Sequence, residues 1–189
     1  AFQKKGDAAE AQRYFKESMK IREQSQDLLG IAEINANMAS VLAHSKKFPE
    51  ALELLAKARE SYQKLSNKKG LSSIKKTEAL IHKLQSNNSE SLQCYKECAQ
   101  LLSEVGENSE LGAVYNSIGL IYKERGDFHE ALSYFEKSIK IQESIQDLAG
   151  LAASYNNIGL IYDAKNDYEK ALDYYSRDIK ITEKLGDKR

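Results

Sequence analysis

Residues 115–122 read YNSIGLIY, and residues 155–162 read YNNIGLIY, so one stretch of sequence returns after 40 residues. The segments that follow agree at the same offset, since GDFHEAL at 126–132 aligns with NDYEKAL at 166–172. A fixed period between 20 and 50 residues is typical of proteins built from stacked structural repeats. The sequence therefore predicts a solenoid whose unit is about 40 residues long.

The 40-residue offset extends over the whole chain as two columns, one of small and one of large residues. The small column holds Ala11, Ala51, Ser91, Ala131 and Ala171, and the large column holds Phe15, Leu55, Tyr95, Phe135 and Tyr175. Within a unit, Ala131, Leu132, Phe135, Ser138 and Ile139 follow the spacing of one helix face. The single proline, Pro49, falls in a predicted first turn, where its missing N–H is harmless. These patterns predict an all-α fold.

Helix-capping residues recur with the same period. One helix of each unit is predicted to begin after Asp7, Asn87, Asp127 or Asp167, with Lys47 as the exception, and the other after Asp27, Asn67, Asp147 or Asp187. Three residues after the first set stand Glu10, Glu50, Glu90 and Glu130, which predict capping boxes. We therefore predict nine helices, near 8–26, 29–45, 48–65, 69–85, 88–105, 110–125, 128–145, 149–165 and 168–185. Short loops make neighbouring helices antiparallel.

Composition excludes several classes of function. Lysine plus arginine equals aspartate plus glutamate at 28 each, which removes the general attraction that nucleic-acid or acidic-membrane binding relies on. No apolar run is long enough to cross a bilayer. Cys94 and Cys98 lie four residues apart on one predicted helix, where they suit neither a disulfide nor a zinc site alone. We expect buried thiols, a reducing compartment and a cytoplasmic location.

No pattern of catalytic or ligand-binding residues stands out. His44, His82 and His129 are scattered, and the chain has no glycine-rich phosphate loop and no nucleophile elbow. Most aromatic residues fall in repeat columns that face the core, so we do not expect a base-stacking platform. The sequence predicts neither an enzyme nor a cofactor, and neither a nucleic acid nor a membrane as partner.

The repeat columns resemble those of the tetratricopeptide repeat family, in its longer variant of about 40 residues. The family pattern appears at eight positions in one unit and again 40 residues later in the last unit. The first set is Tyr115, Ile118, Gly119, Tyr122, Gly126, Phe128, Ala131 and Phe135, and its counterpart begins with Tyr155 and ends with Tyr175. The resemblance covers essentially the whole chain and implies a right-handed superhelical solenoid of antiparallel helix pairs. It divides the chain into a half repeat at 1–30 and repeats at 31–70, 71–110, 111–150 and 151–189.

Two features of the repeats concern their packing. Gly119 and Gly159 stand inside predicted helices, where glycine costs about 1 kcal/mol relative to alanine, so we expect a close helix contact, with Ala131 and Ala171 facing them. In the repeat at 71–110 the family positions hold Lys75, Glu78 and other residues that are not large and apolar. We expect this repeat to be the least stable.

The resemblance also implies a binding groove lined by the first helix of each pair. By alignment, the groove positions are Ala36, Ser40, Lys76, Leu80, Asn116, Leu120, Asn156 and Leu160. Asparagine can donate to and accept from peptide groups, and leucine offers apolar contact, so this composition suits a peptide or helix. The groove lacks the basic cluster with which some relatives bind chaperone tails, and it is more similar to that of kinesin light chains and signalling adaptors.

The leading hypothesis for function is a protein-interaction scaffold that binds a partner peptide or helix in this groove. A second is a regulatory or sensory repeat region of a multidomain signalling protein, such as a kinase, a cyclase or a transcription regulator. A third is a structural spacer that associates end to end with other copies. Because neither end of the chain shows a polar capping helix, we expect a fragment of a longer array.

Overall fold

The computed structural model describes residues 14–15 and 17–186. Residues 14, 15 and 17–24 are helical and form the described part of α1. The remaining helices are α2 (Leu28–His44), α3 (Phe48–Lys64), α4 (Lys68–Leu84), α5 (Asn88–Val105), α6 (Asn108–Arg125), α7 (Phe128–Ser144), α8 (Leu148–Ala164) and α9 (Tyr168–Lys184). Over this range the structure contains helices and turns but no strand. The prediction of an all-α repeat fold is confirmed, and the bounds predicted for α2–α9 lie within two residues of these.

The turns between helices repeat every 20 residues, half the repeat length. Each contains one residue with a positive φ, between +50° and +81°. These residues are Gln26, Lys46, Ser66, Ser86, Gly106, Gly126, Gln146, Asn166 and Gly186. At α2, for example, the N–H of Lys47 donates to the carbonyl of Leu42, and the N–H of Lys46 donates to that of Ala43. This pair of bonds is the Schellman motif, which satisfies the last carbonyls of a helix.

Most of the predicted N-cap residues that the structure describes make a capping hydrogen bond, and one does not. The side chains of Asp27, Asn67 and Asp147 accept from the N–H three residues on, at 2.8–3.0 Å, as expected. Asp167 accepts similarly from Lys170, at 3.3 Å. The prediction for Asp127 was wrong: its carboxylate makes no capping bond and lies 3.1 Å from Nε of Arg125. Asp7 and Asp187 lie outside the described residues.

The capping boxes predicted from Glu50, Glu90 and Glu130 are absent. A capping box needs the backbone N–H of the N-cap residue, but the Schellman bond of the preceding helix has already taken that donor. The N–H of Asp127, for example, donates to the carbonyl of Tyr122 at 2.9 Å. Because the turns have only two or three residues, the last residue of a turn is also the N-cap of the next helix. Glu10 lies outside the described residues.

Replacing Gln146 with glycine is expected to stabilise the protein by about 1 kcal/mol. Gln146 is exposed and has φ +56°, a conformation that costs a side-chain-bearing residue about 1 kcal/mol or more and costs glycine little. Denaturant unfolding followed by circular dichroism measures the gain. The matched change, Gly126→Ala, places a side chain at φ +81° and should destabilise by a similar amount. Equal midpoints for the two variants would contradict this explanation of the turns.

The chain divides into two compact units, Ala1–Leu101 and Leu102–Arg189, with the boundary inside α5. Unit 1 has a core of small residues of α2 and α3 around larger ones, including Leu42, Leu55, Ile74 and Ile81, which are at most 3% exposed. Ser91 replaces alanine in the small column because its hydroxyl donates to the carbonyl of Ala79 at 2.8 Å. Whether the chain forms one solenoid over 1–189 with the predicted repeat divisions stays a prediction.

Unit 2 has a core built from α7 and α8. Ala131, Phe135, Ile158 and Ile161 are at most 1% exposed, with partly buried aromatic and aliphatic side chains packed around them. A close contact at Gly119 is confirmed, and its nearest partner is the ring of Phe135, while the expected place of Ala131 opposite this glycine stays a prediction. A Cβ built on Gly119 would lie 2.7 Å from Cε1 of Phe135, one helical turn after Ala131. Gly159 and Tyr175 repeat this contact at 2.6 Å.

None of the described helices is long and apolar enough to span a bilayer.

Candidate functional site

The groove residues predicted in unit 1 differ in how much surface they offer. Ala36, on α2, is only 6% exposed and belongs to the core, so it presents almost nothing to a ligand. Ser40, on α2, and Leu80, on α4, are half-buried, and Lys76 is exposed. The carbonyl of Ser40 accepts a hydrogen bond from Nδ1 of His44 at 2.8 Å. In this unit the available chemistry is that of one lysine and partly covered apolar or hydroxyl groups.

The groove residues predicted in unit 2 lie on α6 and α8, whose asparagines are linked by hydrogen bonds. Asn116, on α6, and Asn156, on α8, are both half-buried. Asn157, next to Asn156, donates from Nδ2 to Oδ1 of Asn116 at 3.3 Å. Nζ of Lys123 donates to Oδ1 of Asn157 at 2.8 Å. A connected row of polar groups thus joins the two helices at the predicted site.

Asn156 has a different partner, on α9. Its Nδ2 donates to Oδ2 of Asp178 at 3.3 Å. Both residues line a crevice of about 250 Å³, whose other walls are mostly small or polar residues together with Leu185. The lining includes Ala149, Ala152, Ala153 and Thr182. The crevice is therefore open enough to admit a peptide group or a small side chain beside Asn156.

The two leucines predicted at the site supply apolar surface. Leu160 is 42% exposed, and Leu120 is half-buried and packs against the core of unit 2. Each follows an asparagine of the site by four residues, which places the pair on the same face of its helix. The site in unit 2 therefore combines amide groups with apolar surface on each of two helices.

The tyrosines of unit 2 pack against one another between the two helices of each pair. The ring of Tyr134 stacks on Tyr122 at 5.6 Å between centroids, and the ring of Tyr174 stacks on Tyr162 at 5.7 Å. Nζ of Lys137 lies 4.6 Å from the centroid of Tyr134. Burial raises the pKa of Tyr174 above its ordinary value. These contacts confirm the expected use of the aromatic columns in packing.

In unit 1 a charged residue occupies one of the corresponding columns and belongs to an ion-pair network. Lys75 stands where the next repeat has Tyr115, and its Nζ lies 2.6 Å from Oε2 of Glu97 and 3.5 Å from Oε2 of Glu78. Glu78 also pairs with the guanidinium of Arg59, on α3. The hydrogen bond from Lys75 lowers the pKa of Glu97. Sequence reasoning found the missing aromatic residues but missed the charged pairs that replace them.

No group of three or more histidine, cysteine, aspartate or glutamate side chains that could hold a metal occurs among residues 14–15 and 17–186. Cys98 is buried as expected, and its thiol donates to the carbonyl of Ser72 at 3.2 Å. Cys94 is only half-buried. Burial is the main reason why the pKa of the Cys94 thiol lies above its ordinary value.

Comparison of the sequence with protein-family profiles gives one matching family. The tetratricopeptide repeat profile matches four overlapping stretches, residues 1–64, 30–104, 72–144 and 110–184. Together these matches cover nearly the whole sequence. A search of curated proteins gives no match.

Several solved structures are similar to this chain. BtubC (BKLC) from P. vanneervenii has a TM-score of 0.80 at 19% identity, with 94% of this chain and 72% of that chain covered. A putative kinesin light chain of Podosopora anserina has a TM-score of 0.70 at 16% identity, covering 97% and 91%. A signal transduction ATPase from Pyrococcus horikoshii, described as having a tetratricopeptide repeat sensor, has a TM-score of 0.77 at 20% identity, covering 92% and 28%. At these identities the similarity shows the shared fold.

Proposed function

Because the chain belongs to the tetratricopeptide repeat family, we propose that it binds a peptide segment of a partner protein on the face that α6 and α8 form in unit 2. Repeats of this family are generally protein-interaction scaffolds. Such solenoids supply surfaces for binding instead of reactive groups, because stacked repeats produce an extended face. The proposal accordingly names a binding surface and no catalytic residue.

The observation that carries the proposal is the pairing of amide and apolar groups on α6 and α8. Asn116 and Leu120 lie on α6, and Asn156 and Leu160 occupy the same positions on α8. Every peptide group of a bound backbone offers a carbonyl and an N–H, and an asparagine side chain can bond to either. Leucine surface then contributes contact with the side chains of the peptide, which do not have to be charged.

Unit 1 has a second face with the same family positions but different chemistry. Ser40, Lys76 and Leu80 are its accessible members, and they include no side-chain amide. A peptide bound there would use the charge of Lys76 more than backbone bonds. We therefore assign the contact with the peptide to unit 2.

Selection from a displayed library of random peptides tests the proposal. The wild-type chain should enrich a set of related sequences, and the Asn116→Ala/Asn156→Ala variant should bind the enriched peptides about tenfold or more weakly, because two hydrogen bonds are lost. The control is Asn108→Ala, which changes an exposed asparagine outside the predicted groove positions. Circular dichroism checks that each variant is folded. No enrichment, or equal binding by the wild type and the groove variant, would refute the proposal.

A regulatory role within a larger signalling protein is the second candidate. The observation favouring it is the ATPase from Pyrococcus horikoshii, whose repeats are described as a sensor and of which this chain covers 28% of the length. In that case a bound peptide would alter the activity of a kinase, a cyclase or a transcription regulator joined to the repeats. The complete coding sequence distinguishes the candidates, since a catalytic or DNA-binding domain beside the repeats would favour regulation.

A further inference from the structure

The hydrogen-bonding role of an asparagine side chain depends on which end of its amide faces a ligand. The oxygen only accepts and the nitrogen only donates, so an asparagine that is free to turn offers either. A neighbour that can only donate, or can only accept, removes this freedom, because one orientation would place two donors or two acceptors together. Unit 2 contains one neighbour of each kind.

Lys123 is the donor-only neighbour on α6. An ammonium group has no acceptor, so the atom of Asn157 that lies 2.8 Å from Nζ must be the amide oxygen. The nitrogen of Asn157 then lies toward Asn116, and the atom of Asn116 3.3 Å away must be its oxygen. The nitrogen of Asn116 is left on the other side of the amide. Through Asn157, the charge of Lys123 thus makes Asn116 a donor.

Asp178 is the acceptor-only neighbour on α9. Its carboxylate can only receive a hydrogen bond, so the atom of Asn156 that lies 3.3 Å from Oδ2 must be the amide nitrogen. The oxygen of Asn156 is then the group left for a ligand, beside the crevice between α8 and α9. The bond thus turns the oxygen of Asn156 toward a ligand and uses one of its two N–H groups, although Asn156 occupies the same repeat position as Asn116.

The bonds that Lys123 and Asp178 make to the asparagines are particular to α6, α8 and α9 and are not general to the repeat. Ser138 stands one repeat before Asp178, and its hydroxyl donates to the carbonyl of Gly112 at 2.8 Å. Ser117 stands one repeat before Asn157 and donates to the carbonyl of Ala113 at 3.0 Å. Asp163 stands one repeat after Lys123, so the charge at that position is reversed on α8.

We propose that Lys123 and Asp178 are positioning residues that fix Asn116 as a donor and Asn156 as an acceptor toward the bound peptide. The inference rests on the proposed function, since it assigns the hydrogen bonds of the same face. A trans peptide unit points its carbonyl and its N–H in opposite directions. An extended segment is thus accepted with a carbonyl directed at α6 and an N–H directed at α8. The donor on α6 and the acceptor on α8 thus select the direction and register of the peptide backbone.

The orientation of the amides can be tested on the protein alone. N,N-dimethylacetamide carries a peptide-like carbonyl and no N–H, so it binds donors only. In ¹H–¹⁵N correlation spectra of the labelled chain, the side-chain NH₂ signals of Asn116 should shift more with this probe than those of Asn156 or Asn157, which each already use one N–H in a bond within the protein. Comparable shifts for Asn116 and Asn157 in the wild type would overturn the assignment.

Variants of Lys123 separate orientation from simple bracing of the two helices. Lys123→Met removes the donor that holds Asn157, so the responses of Asn116 and Asn157 to the probe should become similar. Lys123→Arg retains a side chain that only donates, and it should restore the difference. A difference that persists in Lys123→Met would show that the lysine does not orient the amides.

Asp178→Ala provides an independent test on the other helix. Without the carboxylate, the NH₂ signals of Asn156 should respond more strongly to the probe than in the wild type, while those of Asn116 remain unchanged. The control is Asp163→Ala, an exposed aspartate of α8, which should leave both responses as in the wild type. A response of Asn156 that is the same in Asp178→Ala as in the wild type would contradict the proposal. Since no peptide is used, failure here is distinct from failure of the peptide selection.

Discussion

Gly119→Leu is expected to reduce the free energy of unfolding by about 3 kcal/mol or more, which is a large part of the stability of an ordinary domain. A Cβ at this position would lie 2.7–3.0 Å from three ring atoms of Phe135, whose side chain is 0% exposed. The ring has no room to move away without disturbing Ile158 and Ile161 in the same core. The leucine would therefore force α6 and α7 apart. Thermal unfolding followed by circular dichroism measures the loss.

Gly112, on the same helix, provides the matched control. A Cβ there would meet Cγ of Gln142 and Cγ2 of Ile141 at 3.4 Å, an ordinary van der Waals distance. Gly112→Ala should thus be neutral or stabilise the helix by up to about 1 kcal/mol, whereas Gly119→Ala should destabilise it. A melting temperature of Gly119→Leu within about two degrees of the wild type would show that the contact with Phe135 does not limit packing.

Glu78→Lys is expected to destabilise unit 1 by about 2–3 kcal/mol. The carboxylate of Glu78 is paired with both Arg59 and Lys75, and its side chain is 16% exposed. The substitution would bring three cations together and remove the acid between them. The expected loss lies between that of an exposed ion pair, at most about 1 kcal/mol, and that of breaking a buried pair, about 3–5 kcal/mol. Urea unfolding, followed with a probe placed in unit 1, measures the loss of unfolding free energy.

Glu53→Lys is the control for this charge reversal. Glu53 pairs with Lys57 on the surface of α3, and its side chain is 68% exposed. Reversing its charge should change stability far less than reversing that of Glu78, because water screens an exposed pair. If Glu78→Lys and Glu53→Lys have the same small effect, the network does not replace the aromatic packing of the other repeats.

The sequence was sufficient to predict the helices, because two local signals, the capping residues and the helical spacing of apolar residues, agreed with one long-range signal, the 40-residue recurrence. The side chains of Asn67 and Asp147 make the capping bonds that their positions predict. The columns of Ala131 and Phe135 are buried as their 40-residue recurrence indicates. Each signal alone would leave boundaries uncertain, but their common period fixed them to within two residues from α2 to α9.

The turns were predicted less completely, because their chemistry is shared between two helices. A capping box is a pattern within one helix. It therefore does not show that the N–H of each N-cap residue already donates to a carbonyl of the preceding helix. The positive-φ positions recur every 20 residues, but residues as different as Lys46, Ser86 and Gly126 occupy them. Only three of the nine are glycine, so composition alone gives a weak signal for these turns.

In the repeat at 71–110, charged pairs occupy positions where the family pattern has apolar residues, and the lower stability of this repeat stays a prediction. Lys75, Glu78 and Glu97 replace residues of the family pattern or its partners, and the structure pairs them with one another. Helices α4 and α5 supply these charges and α3 adds Arg59, so the pairing could not be inferred from one helix. The only signal in the sequence was that several columns changed to charged residues within a single repeat.

Sequence reasoning proposed the four groove residues of unit 2 but not what orients them. Asn116 and Asn156 could be placed by alignment, whereas Lys123, Asn157 and Asp178 lie on three helices. Their side chains meet only when the helices pack. Ala36 illustrates the reverse case, since a position predicted from the groove pattern lies in the core of unit 1.

The measurement that tests the central claim most directly is the mapping of a selected peptide onto the chain by NMR. When a peptide enriched from the display library is titrated into the ¹⁵N-labelled protein, the largest shifts are expected at Asn116, Leu120, Asn156 and Leu160. Shifts confined to α7, or to unit 1, would contradict the claim that the face of α6 and α8 is the binding site.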